Sequence, residues 1–266
     1  MIRLLIISFL FVSCNGNTMQ TAKQDAVNYY VQAKQVQQQD TLLKGIQEKI
    51  YNAFVESLMS KDNKKLSGLS NKLAMLYKDK KQNLVQYWRA YLQFYSSIYY
   101  LKKGDKKIAE KEIDQGIDWL KEMKHKNSED YALLAMLQGF SLQFKGMKAM
   151  FISGDIKKNA QTAIALDSTN LRAYYVYASN DFYTPEKYGG GKECEKYLLK
   201  AVSLPTQPIK NEYLPSWGKE ESYEMLIKYY IRKEKWDDAK KYYQEAIKMF
   251  PDSYTISQLA SKLVGK

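Results

Sequence analysis

The sequence predicts an all-α protein assembled from paired helices, and three observations carry that expectation. Apolar residues recur at intervals of three and four through most of the chain, the spacing that lines one face of a helix. Leu, Ala, Lys, Glu, Gln and Tyr are abundant while Val and Thr are few, which favours helix over strand. Short turn signals divide the periodic stretches into five pairs spaced roughly 40 residues apart, the mark of stacked helical units.

The first pair is expected over 41–60 and 63–77, where Leu42, Leu43, Ile46, Ile50, Phe54 and Leu58 face Leu66, Leu69, Leu73 and Leu76. The second spans 84–101 and 106–123, broken at Lys103-Gly104-Asp105, where glycine supplies the conformation that ends a helix. In the third, Ser128 is the expected N-cap, ahead of Glu129 and Asp130. Its first helix is expected to run to Phe151, with a turn at Gly154-Asp155 leading into 156–166. The fourth opens on Tyr174-x2-Tyr177-Ala178, is interrupted by 183–191, and resumes over 192–204. A Pro-rich loop, 205–217, leads to the last pair, and 252–264 is expected to be a solvated capping helix.

That last pair, 223–251, has the sharpest pattern: Tyr223-x2-Leu226-Ile227-x2-Tyr230, then Ala239-x3-Tyr243-x2-Ala246, then Pro251. Small residues sit where two helices must approach closely, and Pro251 ends the second helix because it lacks an N–H. Ala109-x3-Ile113-x2-Gly116 and Cys194-x3-Leu198-x2-Ala201 repeat the rhythm. The pattern resembles the tetratricopeptide repeat (TPR), with Ile227 departing where that family prefers a small residue. The resemblance extends over 41–264 and implies a TPR-like α-α superhelix of about five helix pairs plus a C-terminal capping helix. The run from Tyr183 through Gly189-Gly190-Gly191 to Trp217-Gly218 is also similar to a variety of bacterial envelope TPR proteins.

Residues 1–13 read as an export signal: Arg3 gives a positive start, 4–12 are apolar, and Ser13 is small. The run is shorter than the roughly 20 residues a membrane-spanning helix needs. Phe11-Val12-Ser13-Cys14 resembles the lipobox of bacterial lipoproteins, which implies lipidation of Cys14; Phe11 departs from the usual Leu. Residues 14–40 are expected to be the lipidated Cys, a tether and a marginal Gln-rich helix, and 41–266 the TPR-like helical repeat domain. These features imply a protein lipid-anchored in a bacterial cell envelope and facing the periplasm.

The formal charge is +12, from 41 basic and 29 acidic residues, and losing Arg3 with the signal leaves +11. Acidic residues alternate with the basic ones along most helices, so no nucleic-acid partner is expected. Two cysteines far apart and one histidine exclude a clustered zinc or redox site, and no metal or cofactor is expected. Gly189-Gly190-Gly191-Lys192 lacks the strand, spacing and Ser/Thr of a P-loop, so it reads as a turn. Cys194 occupies a small-residue packing position rather than a nucleophile's, and His125 lies in a connecting loop. Glu110, Glu112 and Asp114 read as a solvated helix face rather than an acid/base pair, so no enzyme is expected. Trp217 is either a ligand-stacking ring at a groove mouth or a hydrophobic plug over the junction of the fourth and fifth pairs.

In the resembled family, the first helix of each pair lines the concave face. That geometry implies partner contacts from Tyr91 and Phe94 in the second pair, and from Arg172, Tyr175, Ser179 and Tyr183 in the fourth. Lys228 and Arg232 in the last pair complete the set. Aromatics beside cations suit an acidic protein or peptide partner, because guanidinium pairs with carboxylate, although Glu221 and Glu224 on the same strip oppose it. The expected role is a non-catalytic protein- or peptide-binding scaffold. The alternatives are a glycan- or nutrient-capturing envelope lipoprotein and an enzyme using a groove carboxylate pair.

Overall fold

The computed structural model describes residues 41–146 and 149–266. The expected signal, Cys14 and the marginal N-terminal helix lie outside the described residues. Eleven α-helices and no strand are present among the described residues. They are α1 (Ile46–Ser60), α2 (Lys64–Lys80), α3 (Asn83–Lys102), α4 (Lys106–Glu122), α5 (Ser128–Lys145) and α6 (Ala149–Leu166). After them come α7 (Leu171–Tyr183), α8 (Cys194–Ser203), α9 (Lys219–Arg232), α10 (Trp236–Met249) and α11 (Tyr254–Ser257). Each α-helix packs against its chain neighbour, and the odd-numbered helices α1, α3, α5, α7 and α9 also touch in succession.

The small residues of the recurring rhythm set these approaches. Ala109, Cys194, Ala201, Ala239 and Ala246 are fully buried. At Gly116 of α4 a Cβ would stand 2.9 Å from Leu137 Cδ2 and 3.2 Å from the Ala90 carbonyl oxygen, so a side chain there would crowd the approach of α4 to α3 and α5. The turn at Lys103-Gly104-Asp105 is present, with Gly104 at φ 85°. Ile227, larger than the pattern prefers, is fully buried against Tyr223, Ala246 and Ile256.

Three local expectations are corrected. The break in the third pair is not at Gly154-Asp155: α5 ends at Lys145, Gly146 follows at φ 50°, and α6 runs unbroken through both residues. Ile152, Ile156, Ala160 and Ala163 give α6 one continuous packed face, which outweighs the ~1 kcal/mol that a mid-helix glycine costs. The N-cap of α5 is Asn127, not Ser128. Its side chain accepts the Asp130 N–H while Asp130 accepts the Asn127 N–H, a reciprocal capping box. Ser128 is the next residue in, and its hydroxyl donates to the Ala163 carbonyl at 2.8 Å and accepts from Asn170. The C-terminal segment is not one solvated helix. It is the single turn α11 followed by a 3-10 helix, Gln258–Lys262, and it buries Ile256 and Leu259 against α9 and α10.

Candidate functional site

The loop 205–217 does more than connect α8 to α9. It returns to the start of the described chain, where the Gly45 N–H donates to the Glu212 carbonyl at 3.0 Å. The Gln47 side-chain oxygen accepts the N–H groups of Ser216 and Trp217. Inside the loop, Gln207 donates to three carbonyls, those of Asn211, Leu214 and Pro215, which holds the segment in one shape without regular structure. The Trp88 indole N–H of α3 reaches the Tyr213 carbonyl at 3.0 Å.

Trp217 is 4% exposed. Its ring stacks on Tyr91 at 6.3 Å and meets Tyr175 edge-on, and its N–H donates to the Tyr87 hydroxyl at 2.8 Å. It is a plug, but its partners lie on α3 and α7, a wider junction than that between the fourth and fifth pairs. Gly218 follows at φ 102°, and a Cβ there would stand 2.9 Å from side-chain atoms of both Leu171 and Arg172. Only glycine turns the chain into α9 at this distance.

The sequence-predicted contact residues fall into two groups. Arg172 is 3% exposed and held within the fold. Its Nε and Nη2 donate to the two Glu129 oxygens at 2.6 and 2.5 Å, and its Nη1 donates to the carbonyls of Thr206 and Trp217. Tyr91 is buried beneath Trp217. Lys228 is ion-paired with Glu224 one helical turn away. Arg232 lies over the Phe182 ring at 3.5 Å and donates to the Phe182 carbonyl. Phe94, Tyr175 and Ser179 are half-buried, and Tyr183 is exposed.

Of these residues Phe94 belongs to a ladder of rings that crosses three odd-numbered helices. Tyr51 and Phe54 of α1 meet Tyr95 of α3 at 6.1 and 5.1 Å. Tyr95 meets Phe94, Phe94 meets Phe140 of α5 at 5.0 Å, and Phe140 meets Phe144. Tyr51 is exposed, while Phe94, Tyr95, Phe140 and Phe144 are half-buried. Successive rings are tilted by 55–78° along this path, so they form a corrugated apolar band rather than a flat platform. Tyr51, Tyr95, Phe140 and Phe144 were not among the predicted contacts. Their signal was aromatic pairs three or four apart on the first helix of each unit, at 51/54, 91/95 and 140/144.

Glu220, Glu221 and Glu224 lie near the start of α9. Glu221 accepts the Gly218 N–H at 2.7 Å, and burial raises its carboxyl above the usual range. The Tyr95 hydroxyl is pushed up to about 12, first by burial, and the negative fields of Glu221 and Glu220 act in the same direction. Tyr175 is raised by burial and then by Glu221 and Glu224.

The other chemistry-bearing groups are engaged structurally. The Asp181 carboxylate accepts the N–H groups of Glu193 and Cys194, so the start of α8 already holds an anion. The Cys194 thiol is fully buried and pushed up to about 12, chiefly by desolvation. Glu110 and Asp114 share the Lys145 ammonium. Among the described residues no helix is long and apolar enough to cross a membrane.

Asp130 yields a pH prediction. It is 1% exposed, and burial lifts its carboxyl to about 7 despite the stabilising Asn127 N–H. The folded state therefore holds a proton that the unfolded chain releases near its ordinary value of 3.8. Stability from this group is full below that value and is lost as pH rises through about 7. Glu221 and Glu112, also raised by burial, act in the same sense. The urea midpoint should be higher at pH 5 than at pH 8, and Asp130→Asn should flatten the slope; equal slopes in the two proteins would refute this origin.

One solved structure with a similar arrangement is the HusA haemophore from Porphyromonas gingivalis, at 19% sequence identity and a TM-score of 0.48. The match covers 68% of this chain and 91% of that one. No family model matches the chain, and no curated protein does. The class defined here is therefore an all-α protein of successively packed helices.

Proposed function

We propose that the chain is a non-catalytic binding scaffold: a TPR-like superhelix, lipid-anchored through Cys14 in a bacterial cell envelope, that takes a protein or peptide segment on its odd-numbered helices. The observation that carries this reading is the partly open ring ladder from Tyr51 to Phe144, a contiguous apolar surface on three separate helices. Aromatic rings left partly open beside one another suit contact with a partner, because aromatic residues are enriched among the residues that carry the binding energy of protein interfaces. The ladder's corrugation suits side chains entering between rings better than the flat stacking of a sugar. The repeat rhythm and the succession of odd-numbered helix contacts support the superhelix, and the lipobox-like run before Cys14 supports the anchor.

Photo-crosslinking in the producing bacterium tests the surface. A photoreactive phenylalanine analogue at Tyr51 or Phe144 should give discrete protein adducts, and one at the exposed Met75 of α2 should give none. Adducts at Met75 with none at the ladder would move the binding surface elsewhere. The anchor is tested separately: the mature protein should partition into detergent, and Cys14→Ser should release it or leave it unprocessed. Wild-type protein free in the soluble envelope fraction would refute lipidation.

A further inference from the structure

We infer that the lysine-bearing outer face of α2 lies on an anionic lipid surface, so that the bilayer holds the first helix pair directly as well as through the anchor. The choice of a bilayer rests on the reading of Cys14 as a lipidated residue; the charged face itself does not. Residues 61–81 carry seven lysines against two aspartates, +5 in 21 positions, whereas residues 82–266 together carry +6. On α2 this charge points outward. Leu66, Leu69, Leu73 and Leu76 pack into the core, and the opposite side carries exposed Lys64, Lys65, Lys72 and Lys78 around Met75, which is 72% exposed. Positions 64, 71, 75 and 78 follow one another at helical spacing, with 65 and 72 on the adjoining stripe.

Between α1 and α2 a cleft of about 670 Å³ is bordered by Lys49, Lys64, Lys65, Lys72 and Glu56. Lys49 donates to the Thr41 and Leu42 carbonyls. Glu56 pairs with Lys65 at 3.0 Å and Asp62 with Lys64 at 3.6 Å, at the exposed surface, where such pairs are weak. Among the described residues Lys72 and Lys78 have no acid within ion-pair distance. The cleft does not compete with the ring ladder. By helical position Tyr51 stands on the far side of α1 from Lys49, Ala53 and Glu56, and the ladder continues over α3 and α5. Charge and position select the occupant. The chain enters the described fold at Thr41, 27 positions after Cys14, so a lipid on Cys14 tethers the protein by this pair. Lysines attract anionic headgroups while their stems lie along apolar surface, and Met75 among them can reach the acyl boundary.

The test is co-sedimentation of the full chain carrying Cys14→Ser, so that no lipid on the protein contributes, with vesicles of equal phosphatidylcholine and phosphatidylglycerol. It should bind these vesicles, and binding should weaken as salt is raised. Vesicles of phosphatidylcholine alone measure any uptake by the apolar residues 4–12 and should bind far less. On the same background, Lys64→Gln, Lys65→Gln, Lys72→Gln and Lys78→Gln together should weaken partitioning by about 25-fold or more, the effect of losing two lysine–headgroup contacts. The substituted side chains are exposed, so helical content should be unchanged. A control of equal charge, Lys192→Gln, Lys200→Gln, Lys241→Gln and Lys248→Gln, should bind like its parent. If the first quadruple variant does not fold, Lys72→Gln alone should still weaken binding by about two- to fivefold. Equal losses in the two quadruple variants, or no preference for the anionic vesicles, overturn the α2 surface. Either result leaves the lipid anchor to the detergent partitioning of the wild type. Vesicle binding by the Cys14→Ser chain, together with wild-type protein that is not lipidated, would uphold the surface while the anchor fails.

Discussion

Trp217→Ala should destabilise the protein by about 3–5 kcal/mol, the cost of deleting a large buried aromatic whose site cannot collapse. The ring stacks on Tyr91, meets Tyr175 edge-on, and gives its N–H to Tyr87, so truncation opens a void between α3 and α7. It also leaves the fully buried Tyr87 hydroxyl without its donor. Tyr87, already raised well above its ordinary range by burial and by Glu129, cannot recover the loss by ionising. The loss is not confined to the plug. With Trp217 gone, the bonds from Gln47 to the Ser216 and Trp217 backbone and from Trp88 to Tyr213 lose the anchor that holds the loop down. Limited proteolysis should then cut after Lys210 in the variant while the wild type resists. Trp217→Phe keeps most of the packing and should cost about 1–3 kcal/mol, chiefly for the unmade hydrogen bond. Urea denaturation checks both values; a Trp217→Ala variant within 1 kcal/mol of wild type would mean the loop is dispensable.

This loop also marks where the sequence stops being legible. Helix pairing could be read because it is local: Gly104 ends one helix, and Ala109, Cys194 and Ala239 recur where helices approach closely. The bonds of Gln47 to Ser216 and Trp217 span about 170 positions and leave no periodic trace. Trp217 could therefore be seen as a plug or a ligand ring, but not placed on α3. Gly154 misled for a different reason. A glycine and an aspartate together read as a turn, yet the packed face from Ile152 to Ala163 was strong enough to carry the helix through. Ser128 was a fair N-cap by type. Asn127 won because Asp130, three residues on, could close the reciprocal box. In the site, Phe94 lies in the ring ladder, while Arg172 is held inside the fold. Side-chain identity alone could not tell a cation facing solvent from one facing Glu129.

That distinction sets the expected behaviour of Arg172. From sequence, Arg172→Glu with Lys228→Glu should leave helical content intact and abolish capture of an acidic partner. The structure predicts a folding defect instead. Arg172 holds both oxygens of Glu129, whose side chain is 13% exposed, and caps the carbonyls of Thr206 and Trp217 at the two ends of the loop. Arg172→Met should cost about 3–5 kcal/mol, because it leaves a buried carboxylate uncompensated and two carbonyls unmet. That is a large share of the ~5–15 kcal/mol that stabilises a typical domain. Arg172→Glu should be worse, placing a second carboxylate against Glu129. Arg172→Lys should fall between, since an ammonium cannot make the paired contact and reach both carbonyls. The double variant Arg172→Met, Glu129→Met removes the orphaned charge, so it should be more stable than Arg172→Met alone, and the two substitutions should be strongly non-additive. Urea midpoints and far-ultraviolet circular dichroism across this set read the outcome. Arg172→Met with wild-type stability would free the guanidinium from its structural role and return it to the candidate contacts.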